Sequence, residues 1–339
     1  QITKPDENKS TSFYYTANES GSISIIDSQS NEVIKTLSTD GMTHNVQVSP
    51  DGKILGATVA AHMDEDQTEH GDMSEGQTEH GDMNEGQTDH GDMNMNGRVL
   101  FYDTETNELI KEVEVGNHPA HIVFTPDGKL ALVTNNEDNN LYVIDMGKYE
   151  VTNQVDTGKG PHGLRISADG KYAYIANMGE NTVSILDLSS FTEKDRIEVG
   201  NTPVTTGITS DGKTMVATVN GEDSLAIVNL ENENIDKVLV GKGPAQVYIQ
   251  HDDKYAFVAN QGTEESPSNT VSKINLVTKT VEATIDVGKG AHGVVTSDDN
   301  KYVYVTNMYE ATVSVIDSET NKVIATVPVD KEPNGISYK

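Results

Sequence analysis

The chain has 339 residues without Cys or Trp, and its 54 acidic residues against 24 basic ones give a formal net charge of −30. Such a charge repels phosphate backbones and anionic lipid, so it argues against nucleic-acid and membrane-surface binding and favours cationic partners, metal ions among them. No apolar run reaches the roughly 18 residues needed to cross a bilayer, and few segments have the spacing of an amphipathic helix.

The first twelve residues are polar and rich in Lys, Asn, Ser and Thr. We expect residues 1–12 to form a flexible tail, left either by artificial trimming or by removal of a signal peptide, in which case the tail is a surface tether. The absence of Cys suits an oxidising compartment without disulfides. The sequence therefore favours an extracytoplasmic protein that is secreted, periplasmic or tethered to the cell surface.

Beyond the tail, the chain repeats a unit marked by Asp-Gly-Lys followed by alternating apolar residues. Successive copies are 42, 42 and 41 residues apart where the repeat is most regular. Two longer intervals contain insertions, at residues 62–96 and 262–268. The copies, two of them degenerate, begin at Asp51, Asp127, Asp169, Asp211, Asp252 and Asp299. A fixed period of this length is typical of a repeat architecture.

The unit at residues 161–201 predicts four short strands, because its runs of β-branched and aromatic residues are separated by Asp, Gly, Asn and Ser. The predicted strands are His162–Ser167, Tyr172–Ala176, Thr182–Leu186 and Lys194–Val199, which we designate A to D. Four strands in a unit of about 40 to 45 residues correspond to one blade of a β-propeller.

The two chain ends determine the number of blades. Tyr14–Asn18 already has the pattern of strand B, whereas Pro333–Lys339 repeats strand A and then stops. The last segment should therefore complete the first blade and close the ring. Six full units and this shared one predict an all-β, seven-bladed propeller over residues 13–339, built of four-stranded antiparallel blades.

The repeats resemble the YVTN family of β-propellers, the surface-layer-like or lactonase-like propellers. The resemblance rests on Tyr304-Val305-Thr306-Asn307 and Tyr174-Ile175-Ala176-Asn177, each followed by a strand such as Thr312–Asp317. It covers almost the whole chain and implies the propeller fold. It implies little about function, because such propellers include binding proteins, surface proteins and a few enzymes.

Strand alternation places the D–A and B–C loops on one face, at the mouth of the central channel. Three blades carry His at the same position there: His44, His162 and His292. In the third blade His118 and His121 lie close to that position. The B–C loops add Met178, Met308 and the pair His62-Met63. Imidazole binds several metals and thioether selects soft ones, so the set suits copper or silver. In the alternative, the imidazoles only bond to neighbouring loops and the Met side chains only pack.

The insertion at 62–96 joins strands B and C of the second blade and repeats His-Gly-Asp-Met. The insertion contains no Lys or Arg and few apolar residues other than Met, so we expect it to be mobile. The repeated donors are His70, Met73, His80, Met83, His90 and Met93. They could bind Cu, Ag, Ni or Zn and deliver ions to the mouth. The alternative is a duplicated acidic loop without a role.

The Cys nucleophile, the Gly-x-Ser-x-Gly elbow, the P-loop and the His-Glu-x-x-His motif are all missing. We therefore expect a non-catalytic, monomeric, extracytoplasmic propeller that binds metal ions, copper first and Zn, Ni or Ag otherwise. One alternative is a cell-surface module for adhesion or for interaction with another surface protein. A second alternative, by fold analogy, is a lactonase-like or lyase-like enzyme, metal-dependent in some forms.

Overall fold

The computed structural model describes residues 11–61 and 96–339, which form seven antiparallel sheets of four strands each. In blade order the strands are β28 (Pro333–Tyr338), β1 (Phe13–Asn18), β2 (Ser22–Asp27) and β3 (Glu32–Ser38); β4 (Met42–Val48), β5 (Ile54–Ala60), β6 (Asn96–Asp103) and β7 (Leu109–Asn117); β8 (Pro119–Phe124), β9 (Leu130–Asn135), β10 (Asn140–Asp145) and β11 (Glu150–Asp156); β12 (Pro161–Ile166), β13 (Tyr172–Asn177), β14 (Thr182–Asp187) and β15 (Thr192–Glu198). The remaining blades are β16 (Pro203–Ile208), β17 (Thr214–Val219), β18 (Ser224–Asn229) and β19 (Ile235–Leu239); β20 (Pro244–Ile249), β21 (Tyr255–Gly262), β22 (Pro267–Asn275) and β23 (Thr280–Asp286); and β24 (Ala291–Thr296), β25 (Tyr302–Asn307), β26 (Thr312–Asp317) and β27 (Lys322–Pro328). A short 3₁₀ turn, Asn220–Glu222, follows β17.

The predicted seven-bladed, four-stranded architecture is confirmed. In the fourth blade each strand begins and ends within two residues of the prediction. The innermost strands β28, β4, β8, β12, β16, β20 and β24 contact one another in sequence around a closed ring. Of the predicted tail, residues 1–10 lie outside the described part, and β6 begins at Asn96, the last residue of the predicted insertion. No helix in the described ranges is long and apolar enough to cross a bilayer.

The C-terminal strand closes the ring as predicted. In the register of β28 on β1, Tyr14 is opposite Tyr338 and Tyr15 is opposite Ser337. The Lys339 amide donates to the Phe13 carbonyl at 2.8 Å. The two ends of the described chain are thus joined within one blade, and the position of β28 beside β4 brings the first and second blades together.

The core lies between blades, because the two faces of each twisted sheet pack against its two neighbours. Leu164 and Ala173 of the fourth blade, for example, pack on Leu132 and Leu141 of the third, and all four are fully buried. Removing this apolar surface from water provides the main stabilisation of the ring. The same packing fixes the innermost strands relative to one another, so that side chains from several blades can meet at the channel.

The Asp-Gly-Lys turns have a structural role on the face opposite the D–A and B–C loops. The Asp127 carboxylate accepts hydrogen bonds from the Lys129 amide at 3.0 Å and from the Thr125 hydroxyl at 2.7 Å, and Gly128 has a φ of 69°. This is ordinary turn chemistry. The recurrent Asn residues are also structural, since Asn135 Oδ1 accepts the Gly116 amide at 3.1 Å and ties the end of β7 in the second blade to β9 in the third.

Candidate metal centre at the channel mouth

Three imidazoles from neighbouring blades meet where the innermost strands begin. His44 lies on β4, His121 on β8 and His162 on β12, and all three are buried. One ring nitrogen from each lies within 4.8 Å of those of the other two. The predicted residues His44 and His162 are thus brought together, and His121 of the blade between them completes the group, which we call the three-histidine cluster.

The contacts of His44 and His162 determine which nitrogens carry protons. His44 Nδ1 lies 3.0 Å from Glu19 Oε1, and His162 Nδ1 lies 3.1 Å from the Val204 carbonyl oxygen. A carboxylate and a carbonyl only accept hydrogen bonds, so both Nδ1 atoms must be donors. In neutral imidazoles both Nε2 atoms then carry lone pairs, yet they face each other at 3.0 Å. Such a pair requires a cation between or beside its lone pairs, either a proton or a metal ion.

Burial disfavours a proton on His162 and on His121. Desolvation, reinforced by the neighbouring His charges, holds the pKa of His162 well below 6.5. Desolvation and the proximity of His162 and His44 do the same to the pKa of His121. These two imidazoles are therefore neutral near pH 7, the form in which His binds metals.

His121 can offer the single lone pair of its neutral imidazole from either ring nitrogen. Both of its ring nitrogens are buried without a hydrogen-bond partner among the described residues, which is rare for buried polar atoms. Its ring lies 4.7 Å from that of His162, measured between centroids. The Thr134 hydroxyl accepts the His121 amide at 3.0 Å and donates to the His162 carbonyl at 2.7 Å, so one side chain fixes both strands.

The importance of His121 was not apparent from the sequence, which placed it one residue past the recurrent His position. The equivalent residue in the fourth blade is Gly163, and a Cβ built there would collide with Thr205 of the fifth blade. A side chain at this position therefore points at the next blade, and for His121 the next blade carries His162. The available signal was Pro119-Ala120-His121 in place of Pro161-His162-Gly163.

Glu19 supplies a negative charge behind the cluster. It follows β1, and its Oε1 accepts from His44 and, at 2.6 Å, from Asn334 Nδ2. Burial alone would raise its pKa, but the hydrogen bonds and the nearby imidazoles lower it, so the carboxylate is ionised. A carboxylate on the far nitrogen of a His is the usual support of a metal ligand, since it orients the ring and increases its basicity.

The other predicted residues on this face lie around the cluster without joining it. His292 Nδ1 is 2.9 Å from Gln261 Oε1, its Nε2 is buried without a partner among the described residues, and burial lowers its pKa to about 4. Gln261 also donates to the Met308 sulfur at 3.5 Å. Met178 is 39% exposed. His118, beside the mouth, has its ring 6.1 Å from that of His44.

The remaining predicted donors cannot be placed. His62, Met63, His70, Met73, His80, Met83, His90 and Met93 lie outside the described residues. The structure does place the two ends of their segment, which follow β5 and precede β6.

Fold and site together define a seven-bladed β-propeller whose channel mouth carries a buried three-histidine cluster. A model of the YNCE-like beta-propeller family matches residues 94–338, more than half of the chain. The chain belongs to this family, which agrees with the YVTN-type repeats in its sequence. No curated protein matches the sequence.

Several solved structures share the fold. Hydrazine synthase of Kuenenia stuttgartiensis aligns with a TM-score of 0.70 and 20% identity over 87% of this chain and 89% of that chain. A functionally unknown protein from Desulfotomaculum acetoxidans DSM 771 aligns with a TM-score of 0.73 and 14% identity, over 96% and 98%. Dihydro-heme d1 dehydrogenase NirN, solved in complex with DHE, gives 0.64 and 13%, over 99% and 77%. At these identities the similarity concerns the fold alone.

Proposed function

We propose that this propeller is a non-catalytic, extracytoplasmic binding protein for a transition-metal ion, copper in first place, held by His44, His121 and His162. The observation that carries the proposal is the pair of Nε2 atoms that face each other at 3.0 Å while both Nδ1 atoms are committed to acceptors. The unpartnered nitrogens of His121 beside them provide the third donor.

The donor set narrows the choice of metal. Three imidazole nitrogens suit Zn, Cu and Ni, and among divalent ions copper binds a given nitrogen site most tightly. The ionised Glu19 carboxylate offsets part of the charge of a bound cation. The bound ion would supply Lewis acidity or, as copper, a redox couple, while the residues of the chain bind it and keep its surroundings largely dry.

The test is a titration of metal-free protein with Cu²⁺ and Zn²⁺, read by calorimetry and by elemental analysis. A chain lacking residues 67–93 serves as background, so that the repeated donors do not contribute. We expect one ion per chain and at least about tenfold weaker binding after His44→Gln or His162→Gln. The control is His251→Gln, because His251 is exposed on the opposite face. Affinity no tighter than millimolar, or equal loss in the control, would refute the proposal.

The repeated donors at residues 62–96 extend the proposal as a collecting segment. The segment is attached to β5 and β6 at the face that carries the three-histidine cluster. Deletion of residues 67–93 should reduce the number of copper ions bound per chain but leave the affinity of the cluster unchanged. The collecting role would be eliminated if the full chain and the chain lacking residues 67–93 bound the same number of copper ions and gave cells the same tolerance to copper.

A further inference from the structure

A single charged side chain lies deeper in the central channel, at one level of the innermost strands. The residues at this level are Ser337, Gln47, Val123, Arg165, Gly207, Tyr248 and Val295, as the pairing with the adjacent strands shows. Arg165 is the one cation among them, and no acidic residue accompanies it. Arg165 is half-buried, and a charge partly withdrawn from water usually has a partner, so a lone guanidinium here requires an explanation.

The guanidinium of Arg165 lacks an anionic partner within the described ranges. No carboxylate of those residues forms an ion pair with it, and the hydrogen bond it makes runs from Nη1 to the Leu164 carbonyl at 2.9 Å. Its Cζ lies 5.8 Å from the centre of the Tyr248 ring. The surrounding protein removes enough water to lower the pKa of Arg165 despite this ring. A guanidinium has five N–H donors, so most of them remain available.

A cavity of about 220 Å³ adjoins Arg165 at the face opposite the three-histidine cluster. Gly207 lies between Arg165 and Tyr248 around the ring, and it lines the cavity together with these two residues. Ile166, Ile208, Val247 and Ile249 form an apolar part of the lining, and the polar part is formed by Thr209, Ser210, Gln250, His251 and Asp253. For comparison, an engineered cavity of about 150 Å³ binds benzene, so this volume holds a small organic molecule.

We propose that this cavity binds a small monocarboxylate with a short apolar body. The planar fork of a guanidinium matches a carboxylate with two parallel hydrogen bonds, and the isoleucine side chains complement the body. Asp253 on the cavity wall, and Asp298 beside His251 at its rim, disfavour anions of higher charge. The proposal involves none of the proposed metal ligands and is independent of metal binding.

The probes are butyrate, benzoate and inorganic phosphate, titrated into the full chain and followed by calorimetry. We expect saturable binding of a monocarboxylate that is at least about tenfold weaker in Arg165→Met. Arg165→Lys keeps the charge but loses the fork, so it should bind with intermediate affinity. The matched control is Arg196→Met, because Arg196 pairs with Glu193 and Glu180 on the exterior. Circular dichroism and the unfolding temperature establish that each variant is folded.

Each outcome decides the assignment. Binding of butyrate or benzoate that falls in Arg165→Met but not in Arg196→Met supports it. Saturable binding of phosphate without binding of either carboxylate overturns the ligand class. Absence of saturable binding by the three probes up to tens of millimolar, or equal affinity in Arg165→Met, overturns the site. If Arg165→Met does not fold, Arg165→Lys and Tyr248→Ala give the same test, with unchanged carboxylate affinity in both as the contrary result.

Discussion

At the scale of single residues, the contact between Glu19 and His44 determines how the cluster presents its lone pairs. The carboxylate accepts the Nδ1 proton at 3.0 Å, so Nε2 faces His162. Asn334 donates to the same carboxylate oxygen at 2.6 Å and holds it in place. Glu19 is therefore a positioning residue, and it also carries the negative charge nearest to the cluster.

Replacing Glu19 by Gln should weaken copper binding by about tenfold or more, because the amide keeps an acceptor for His44 but loses the charge. The measurement is a competition titration against a chelator of known affinity. Glu180→Gln is the matched control, since Glu180 lies in the corresponding hairpin of the fourth blade and accepts the Lys159 amide. Equal copper affinity in Glu19→Gln and the wild type would show that the carboxylate does not support a ligand.

The buried imidazoles should also make the metal-free protein sensitive to acid. Burial lowers the pKa of His292 from 6.5 to about 4, and it lowers those of His121 and His162. Between about pH 6.5 and 4 the unfolded chain therefore binds more protons than the folded one, and stability falls as the pH falls. From pH 7.5 to pH 5 the loss from His292 alone is about 2 kcal/mol.

Urea unfolding at the two pH values, with a chelator present, measures this loss. His292→Leu should show a pH dependence that is smaller by about that amount, because the variant has no proton to gain at this position. An identical difference between the two pH values in wild type and variant would mean that His292 titrates alike in both states.

The sequence predicted part of this site and missed the rest for a definable reason. His44, His162 and His292 recur at one position of the repeat, so their common level was visible. The repeat does not encode how closely neighbouring innermost strands approach each other. That approach is what brings His44 into contact with His162 and makes His121 the third member of the cluster. Gly occupies the position of His121 in the fourth, seventh and first blades, at Gly163, Gly293 and Gly335, so no pattern drew attention to it.

At the scale of elements, neighbouring blades are joined by threonines on their second strands. Thr134 of β9 and Thr218 of β17 make the same two bonds, accepting an amide on their own blade and donating to a carbonyl of the next. The strands themselves were predictable, because alternation and turn residues are local signals. These bonds between blades were not, because they join residues 27 or 28 positions apart.

Thr134→Val and Thr218→Val form a matched pair of variants. Comparing them separates an effect on the positions of the imidazoles from an effect on the stability of the fold. Each replacement leaves a buried amide without its acceptor, so each should lower the free energy of unfolding by about 1 to 3 kcal/mol. Only Thr134 bonds to two residues of the cluster, His121 and His162, so only Thr134→Val should weaken copper binding. Chemical unfolding and copper titration of both variants test this. Equal copper affinities would show that the strands hold the imidazoles without this hydroxyl.

At the scale of the whole molecule, the two faces of the propeller differ in chemistry. All the innermost strands begin at the same face, so the side chains near their first residues are brought together there. One face gathers the three-histidine cluster, Glu19 and the attachment of the 62–96 segment. The other consists of turns and the cavity beside Arg165. The sequence predicted the faces and the ring, since both follow from the order of the strands. It did not predict the cavity, which depends on how closely Arg165 of the fourth blade approaches Tyr248 of the sixth.

Ring closure offers a test of the whole architecture. Removing residues 333–339 deprives the first blade of its innermost strand and the Thr306 hydroxyl of its acceptor on Asn334, so we expect a large fall in the unfolding temperature. A circularly permuted chain, in which the same strand is placed before β1, should regain the unfolding temperature of the full chain. In that chain Pro333–Tyr338 is joined to Phe13 by a copy of residues 167–171, which link β12 to β13 in the fourth blade. This linker has the right length because the pairing of Tyr338 with Tyr14 corresponds to that of Ile166 with Ala173.

The midpoint is read from the near-ultraviolet circular dichroism of the 13 Tyr residues, since the chain has no Trp. We expect the permuted chain to unfold within a few degrees of the natural order, because it makes the same pairs and merely moves the break between β28 and β1 to the loop before β28. A truncated chain as stable as the full one would mean that β28 adds nothing to the ring. A permuted chain as unstable as the truncated one would mean that the position of the break, and not the pairing of β28, sustains the fold.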